Sequence, residues 1–326
     1  MLIMEDSKTS LTGFVACVGL VCVDIVNTCS KFPSEDSDQR SLSLYWQRGG
    51  NAANTCTVLS ILGSKTKFIG SAPTMNSDDL PWGLDASRFA LQGLEKYGVD
   101  ISDVHHWDCV DFPTSSVIVN KQNGSRTIMH FRGDLPELNV EAFQNLDLGD
   151  HAWFHFEGRP NIDVIISAMN MIVDYNESRS ETEKISMSVE LEKPHVTNLF
   201  SIAKLADLVF VSTDYAKFLG YTSAIECVEG IKNMVSNRAE IVCTWGSSGA
   251  AFGINTVGDV STMVPAIPPD RVVDTIGAGD SFIAGVIHAR SQGHPLDKSV
   301  QFGCRVAEKK ISNCGFDHMK GFKPPI

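Results

Sequence analysis

The chain reads as an α/β protein, a three-layer α/β/α core around a mainly parallel sheet with a small β-sheet lid beside it. Three observations predict this. Continuous apolar runs at Phe14–Val23, Trp153–Phe156, Leu208–Val211 and Ile241–Thr244 have the pattern of strands buried on both faces. Helical stretches at Ala52–Leu62, Ser87–Tyr97, Val164–Tyr175 and Thr222–Met234 separate them, and that alternation implies helices on both faces of a parallel sheet. Two excursions break the rhythm, at Asn27–Gln47 and Phe112–Phe131. The reading is one core domain over 14–320, with lid excursions over 25–47 and 105–133 and a polar, flexible extension over 1–13.

The first apolar run ends at Asp24. An Asp there either caps a turn or binds a ligand, because ligands collect at the carboxyl ends of such strands. Asp24, Glu157, Glu190 and Gly246 are all expected at those ends. The polar excursion then carries a Ser34–Asp38 turn. Arg48-Gly49-Gly50-Asn51-Ala52-Ala53-Asn54 follows, with two glycines before a helix. Asn51 reads as an N-cap. Alternatively, Asn51 and Asn54 share one face of the first turn, and two amides near a carboxylate suit a polyol. Ala72–Leu84 reads as an exposed surface loop.

The second excursion reads as a hairpin, Ser115–Asn120 and Arg126–Phe131 around an Asn-Gly turn. The two excursions together are expected to form an antiparallel sheet with one partly apolar open edge, which a second copy would cover as a homodimer. Arg126 on this hairpin is either a solvated charge or a clamp for sugar and phosphoryl oxygens. Cys243–Ala250 runs from a strand into a Gly/Ser loop, either a tight turn or a backbone cradle for phosphates.

Asp274-Thr275-Ile276-Gly277-Ala278-Gly279-Asp280-Ser281-Phe282 places glycines and a carboxylate at the mouth of a helix. Backbone N–H groups and the helix dipole favour an anion there, and a carboxylate beside it can deprotonate a hydroxyl as it attacks phosphorus. Phe282, Ile283, Val286, Ile287 and Arg290 follow one-face helical spacing.

Composition bounds the alternatives. The net charge of −12 argues against nucleic acid or an anionic membrane as partner. Nine cysteines, mostly in apolar runs and without a Cys-x-x-Cys pair, point to a reducing cytoplasm rather than to zinc. Phe14–Val23 is too short to span a bilayer. His105, His106, His151 and His155 have no metal-ligand spacing. A dinucleotide-binding Gly-x-Gly-x-x-Gly does not follow the first strand, and no Walker-type phosphate loop occurs.

Gly49–Asn51 and Asp274–Asp280, in this order, resemble the paired hallmarks of the ribokinase-like (PfkB) carbohydrate kinase family, over nearly everything from Val15 to Asp317. Tyr45–Asn51, Gly124–Ile128, Glu190–Pro194, Arg271–Thr275 and Phe302–Ala307 are similar to those members that phosphorylate fructose at C1. The resemblance implies a ribokinase-like fold and an ATP-dependent transfer to that hydroxyl. It implies that Asp24, Gly50, Asn51 and Asn54 grip the sugar and that Arg126 reaches sugar and nucleotide. Gly246, Ser247, Ser248 and Gly249 would lie under the ATP phosphates and ribose, and Cys304 by the adenine. Gly277, Ala278 and Gly279 would form the anion hole, and Asp280 would be the base. Mg2+ is expected with ATP, and K+ beside Asp274 and Ile276. The family's Asn-x-x-Glu is replaced by Ser212–Tyr215, which leaves Glu190, Glu192 or Asp214 to order the magnesium shell. A ribose or adenosine kinase of the same family and a non-catalytic sugar sensor are the rival readings.

Overall fold

The computed structural model describes residues 12–74, 81–108 and 111–326. The extension expected over 1–13 therefore lies, up to residue 11, outside the described residues. Phe14–Val23 folds as two strands rather than one. β1 (Phe14–Val18) enters the core, and β2 (Cys22–Cys29) leaves it to pair with β3 (Ser43–Gly49). Gly19 sits at the break because a Cβ there would lie 2.5 Å from Glu157 Oε2 and 2.9 Å from Ala52 Cβ.

After β3 come α1 (Asn51–Leu62), β4 (Thr66–Ile69), β5 (Ser71–Pro73), α2 (Pro81–Glu95), β6 (His105–Trp107), β7 (Thr114–Asn120) and β8 (Arg126–Phe131). The middle of the chain forms α3 (Glu141–Gln144), β9 (His151–Glu157), α4 (Ile162–Glu177), β10 (Ser186–Leu191), β11 (Leu208–Val211), α5 (Thr213–Phe218) and α6 (Ala224–Ile231). β12 (Glu240–Thr244), β13 (Ala250–Ile254), β14 (Thr262–Val264), α7 (Ala278–Ser291) and α8 (Leu296–Ile311) complete it.

The central sheet runs β14-β13-β12-β11-β10-β9-β1-β4. Neighbours from β12 through β4 pair in parallel, and β13 and β14 are antiparallel. Both faces are covered, as the continuous apolar runs require. Val15 and Cys17 of β1 pack in the cluster containing α1, α7 and α8, whereas Ala16 and Val18 pack in the one containing α4 and α6. One rise along the strand thus serves two cores.

The lid is a second sheet in the order β3-β2-β7-β8. Its hairpin is the expected one, and its register runs from Thr114↔Phe131 to Val119↔Arg126. The sheet is not purely antiparallel, because β2 pairs with β7 in parallel. His105–Trp107, grouped with the lid by sequence, instead pairs with β5. The surface loop expected over 72–84 also needs correcting. Ala72 and Pro73 lie buried in β5 and α2 begins at Pro81; residues 75–80 are outside the described set.

The helix opened by the Gly-Ala-Gly-Asp string departs from its one-face spacing. Every residue of α7 from Asp280 to Ala289 is buried. It is flanked by α1 and α8, and α8 comes so close that a Cβ on Gly285 would lie 2.9 Å from the Gly303 Cα.

Candidate active site

The carboxyl ends of β9 and β10 bring Glu157 and Glu190 to the N-terminus of α1. Gly50 precedes the helix at φ 97, and a Cβ there would lie 2.2 Å from the Leu20 carbonyl oxygen, so only glycine fits this turn. With no side chain on Gly50, a distant carboxylate caps the helix: Glu157 Oε2 accepts from the amides of Leu20 at 2.9 Å and Ala52 at 3.2 Å. Burial alone would raise the Glu157 carboxyl. Lys193 Nζ at 2.9 Å, Arg159 Nη1 at 3.3 Å and the Leu20 amide pull it down to about 2 instead. It is a permanent anion of the framework.

Asn51 is the first residue of α1 rather than its N-cap. Its Nδ2 donates to Glu190 at 3.2 and 3.4 Å. Burial pushes the Glu190 carboxyl well above its ordinary range, against the pull of Lys193. One turn further, Asn54 Nδ2 donates to Asp280 Oδ2 at 2.8 Å, and Asn54 Oδ1 accepts from Arg48 Nη1 at 3.0 Å. The amide of Asn54 is thus engaged on both sides by protein groups.

Asp280 lies in the first turn of α7 and is buried. Burial pushes its carboxyl up to about 7; the Asn54 bond works against this, and the charges of Glu157 and Glu192 add to it. A carboxyl poised near neutrality beside a helix N-terminus suits proton transfer at a reacting hydroxyl. Gly277 precedes the helix in the left-handed region at φ 78. The amides of Gly279 and Asp280 have no backbone acceptor among the described residues. A Cβ on Gly279 would meet nothing within 4 Å, so open space faces these donors. Such a hole can take an anion's oxygens.

Asp24 is not at the end of a core strand. It is the third residue of β2 in the lid sheet, because the chain breaks at Gly19. Its carboxylate packs on Gly49, where a Cβ would lie 2.4 Å from Oδ2, and it accepts from the Cys22 thiol at 3.7 Å. Arg126 reaches from the hairpin to the loop before α7, donating to Thr275 Oγ1 at 2.6 Å. The lid therefore already touches the loop that carries the anion hole.

The Asp274 carboxylate is engaged by protein donors. Asp274 Oδ1 accepts from the Ile276 amide at 2.9 Å, and Oδ2 accepts from Gly315 N at 3.2 Å and pairs with the buried ammonium of Lys310. The Asp274 carbonyl accepts from the same ammonium at 3.2 Å. These donors occupy the Asp274 carboxylate, while the Ile276 carbonyl has no backbone donor among the described residues.

On the nucleotide side, Gly246, Ser247 and Ser248 form an exposed turn after β12, and Gly249 closes it at φ 105. The amides of Ser248 and Gly249 bond within the turn, to Trp245 O and Gly246 O at 3.1 Å each. Those of Gly246 and Ser247 have no backbone acceptor among the described residues. Cys304 is buried in α8. Ser212, where the family carries Asn, caps α5 by accepting from the Tyr215 amide at 3.1 Å, and Asp214 is exposed in the first turn. Among the described residues no three His, Cys, Asp or Glu side chains group as a metal site.

The fold thus gathers Asn51, Asn54, Glu190 and Asp280, and separately joins Arg126 to Thr275. Three participants had no assigned role in the sequence reading: Arg48, the capping function of Glu157, and Lys310. Only Lys310 left a sequence signal. It follows Val300 and Val306 on the buried stripe of α8, where an unpartnered lysine is out of place.

Residues 12–319 match the model of the pfkB family of carbohydrate kinases. The chain is 41% identical to ketohexokinase of Mus musculus over 306 residues, covering 93% of this chain and 97% of that protein. Among solved structures it is similar to a putative ribokinase from Agrobacterium tumefaciens (TM-score 0.75, 16% identity, covering 93% of this chain and 92% of that one). It is also similar to Arabidopsis thaliana ribokinase complexed with ribose and ATP (TM-score 0.71, 18% identity, covering 94% of each chain).

Proposed function

The chain belongs to the pfkB family of carbohydrate kinases, and on that premise we propose that it phosphorylates D-fructose at C1, giving fructose 1-phosphate and ADP. The observation that carries the substrate is the 41% identity, along nearly the whole chain, to a protein named ketohexokinase. Mg-ATP is the donor substrate. The magnesium arrives with the nucleotide, and Glu190, Glu192 or Asp214 would order its shell; Glu190 accepts from Asn51 and Glu192 pairs with Lys193.

The chemistry follows from the side chains. Asn51 and Glu190 offer a mixed donor and acceptor set to sugar hydroxyls, with Asp24 and Gly50 at the lid side. Asp280 takes the proton of the C1 hydroxyl as its oxygen attacks the γ-phosphorus, and the ADP oxygen leaves in line. The base contributes roughly 10²- to 10⁴-fold. The Gly277-Ala278-Gly279 loop stabilises the phosphoryl oxygens through the open amides of Gly279 and Asp280, the Ala278 amide being held by Thr275 O at 3.3 Å, and a lost donor there costs on the order of 3 kcal/mol. Arg126, swinging from Thr275 onto the nucleotide, couples lid closure to exclusion of water. The Gly246–Gly249 turn cradles the nucleotide, and Cys304 lies by its base. Potassium is given no part in these steps.

The lid edge supports a homodimer. Among the described residues β8 pairs only with β7, and Ile128, Met129 and Phe131 are more than half exposed on it. No helix among the described residues is long and apolar enough to cross a membrane, and the free thiols fit a cytoplasmic protein.

ADP release measured with fructose, ribose and adenosine tests the substrate. A kcat/KM for fructose at least about tenfold above the others is expected, a gap of about 1.4 kcal/mol in transition-state binding. A preference for ribose or adenosine would move the chain to another branch of the family, and no ADP release with any of them would favour a sugar sensor.

A further inference from the structure

We infer that Arg48 is a positioning residue for Asp280, acting through the amide of Asn54. The inference rests on Asp280 serving as the base and concerns how that base is held ready. A guanidinium has donors and no acceptor. The 3.0 Å bond from Arg48 Nη1 therefore fixes Oδ1 as the Asn54 atom that faces Arg48. The NH2 of the same amide must then face Asp280, where it donates to Oδ2 at 2.8 Å. A donor aimed at that oxygen favours the ionised carboxylate, the form that can accept a proton. Were Arg48 replaced by a side chain without donors, the amide would be free to rotate and offer its carbonyl, which favours the protonated acid.

The surroundings make Arg48 hard to explain as packing alone. It is 6% exposed, Asn54 3% and Asp280 7%. Among the described residues no carboxylate lies within ion-pair distance of Arg48. Its stem lies under α2, where a Cβ on Gly93 would be 3.3 Å from Arg48 Cδ, and its guanidinium lies 5.6 Å from the centre of the Phe316 ring. A buried, unpaired cation is costly to a fold. Here its charge is expressed across one amide onto the carboxylate that does the chemistry. The other charged groups acting on Asp280 are Glu157, Glu190, Glu192, Lys193 and Lys310; around Arg48 lie the carboxylates of Asp24 and Asp280, beyond ion-pair distance, and the titratable but neutral Tyr97, Cys22 and Cys56.

The experiment is the pH profile of kcat for the wild type, Arg48→Met, Arg48→Lys, Asn54→Leu and the Arg48→Met/Asn54→Leu pair. In Arg48→Met the acid limb should move up by about one pH unit, lowering kcat near pH 6.5 about tenfold while the alkaline plateau stays within about threefold. Arg48→Lys, which keeps a donor, should shift the limb less. Asn54→Leu should shift it in the same direction, and adding Arg48→Met should move it no further. A uniform fall in kcat with an unmoved limb would make Arg48 merely structural and overturn the proposal. An additive shift in the double variant would overturn the route through Asn54. If Arg48→Met does not fold, Asn54→Leu and Arg48→Lys decide alone, and an unmoved limb in Asn54→Leu overturns the relay. Failure of the base itself looks different: the wild type would have no acid limb and Asp280→Asn would turn over normally.

Discussion

Replacing Asp280 by Asn should remove most turnover and make the protein more stable. The amide oxygen can still accept from Asn54, so the packing of α7 on α1 is kept. What goes is a carboxylate whose ionisation the fold resists. Burial moves that carboxyl from its ordinary 3.8 to about 7. At about 1.4 kcal/mol per unit, the wild type at about pH 8 forgoes at most about 4 kcal/mol that the neutral side chain would not. The sign follows from the raised value. The penalty is absent below the unfolded-state value, grows as pH rises from there, and is complete above about 7. The variant's advantage should therefore be largest at about pH 8, about half as large near pH 5, and gone below about pH 4. With about 2.1 cal/mol/K per residue of unfolding entropy, about 4 kcal/mol corresponds to roughly 6 °C in Tm for a chain of this size. Calorimetry across pH and steady-state ADP release measure the two effects, with turnover expected to fall roughly 10²- to 10⁴-fold. An unchanged or lowered Tm at alkaline pH would refute the claim that the fold strains against this charge.

Three further outcomes follow from the same geometry. Gly279→Ala should fold as well as the wild type, since its Cβ would meet nothing within 4 Å. Its turnover should nevertheless fall at least about tenfold, because the new methyl enters the space left for the phosphoryl group; wild-type kcat would place the anion hole elsewhere. Lys310→Met should lower stability by about 3–5 kcal/mol in urea titration, because it leaves the buried Asp274 carboxylate unpaired, and a loss below about 1 kcal/mol would mean that the pair is not structural. The paired substitution Ile128→Lys and Phe131→Lys should convert a dimer to monomers by light scattering without lowering Tm, since both side chains are exposed in the single chain; an unchanged mass would locate the interface away from the lid edge.

What could be read from sequence was mostly local. The β7–β8 hairpin was legible because Asn123-Gly124 sets a turn between two alternating runs, and one turn fixes the register of the whole pair. The buried strands were legible because a strand covered on both faces must be apolar throughout. The division of Phe14–Val23 was not, since the reason for it is the close approach of Glu157 to Gly19, a contact between residues far apart in sequence. The same holds for the cap of α1, which comes from β9 across 105 positions. The full burial of α7 was hidden because its exposed-looking face carries small residues, such as Gly285, that let α8 approach. In the site, the Gly-Gly-Asn and Gly-Ala-Gly-Asp strings pointed to Asn51, Asn54 and Asp280. Glu190 was expected at a strand end, but its bond to Asn51, and that of Arg48 to Asn54, emerged only once the chain was folded.

A crystal structure with fructose and a nonhydrolysable ATP analogue tests the central claim most directly. The account predicts an Asp280 carboxylate oxygen within about 2.6–3.2 Å of the C1 hydroxyl, with the γ-phosphoryl group against the Gly277–Gly279 loop and the open amides of Gly279 and Asp280. A sugar presenting its C6 hydroxyl there, or a C1 hydroxyl beyond about 5 Å from that carboxylate with no water between them, would contradict it.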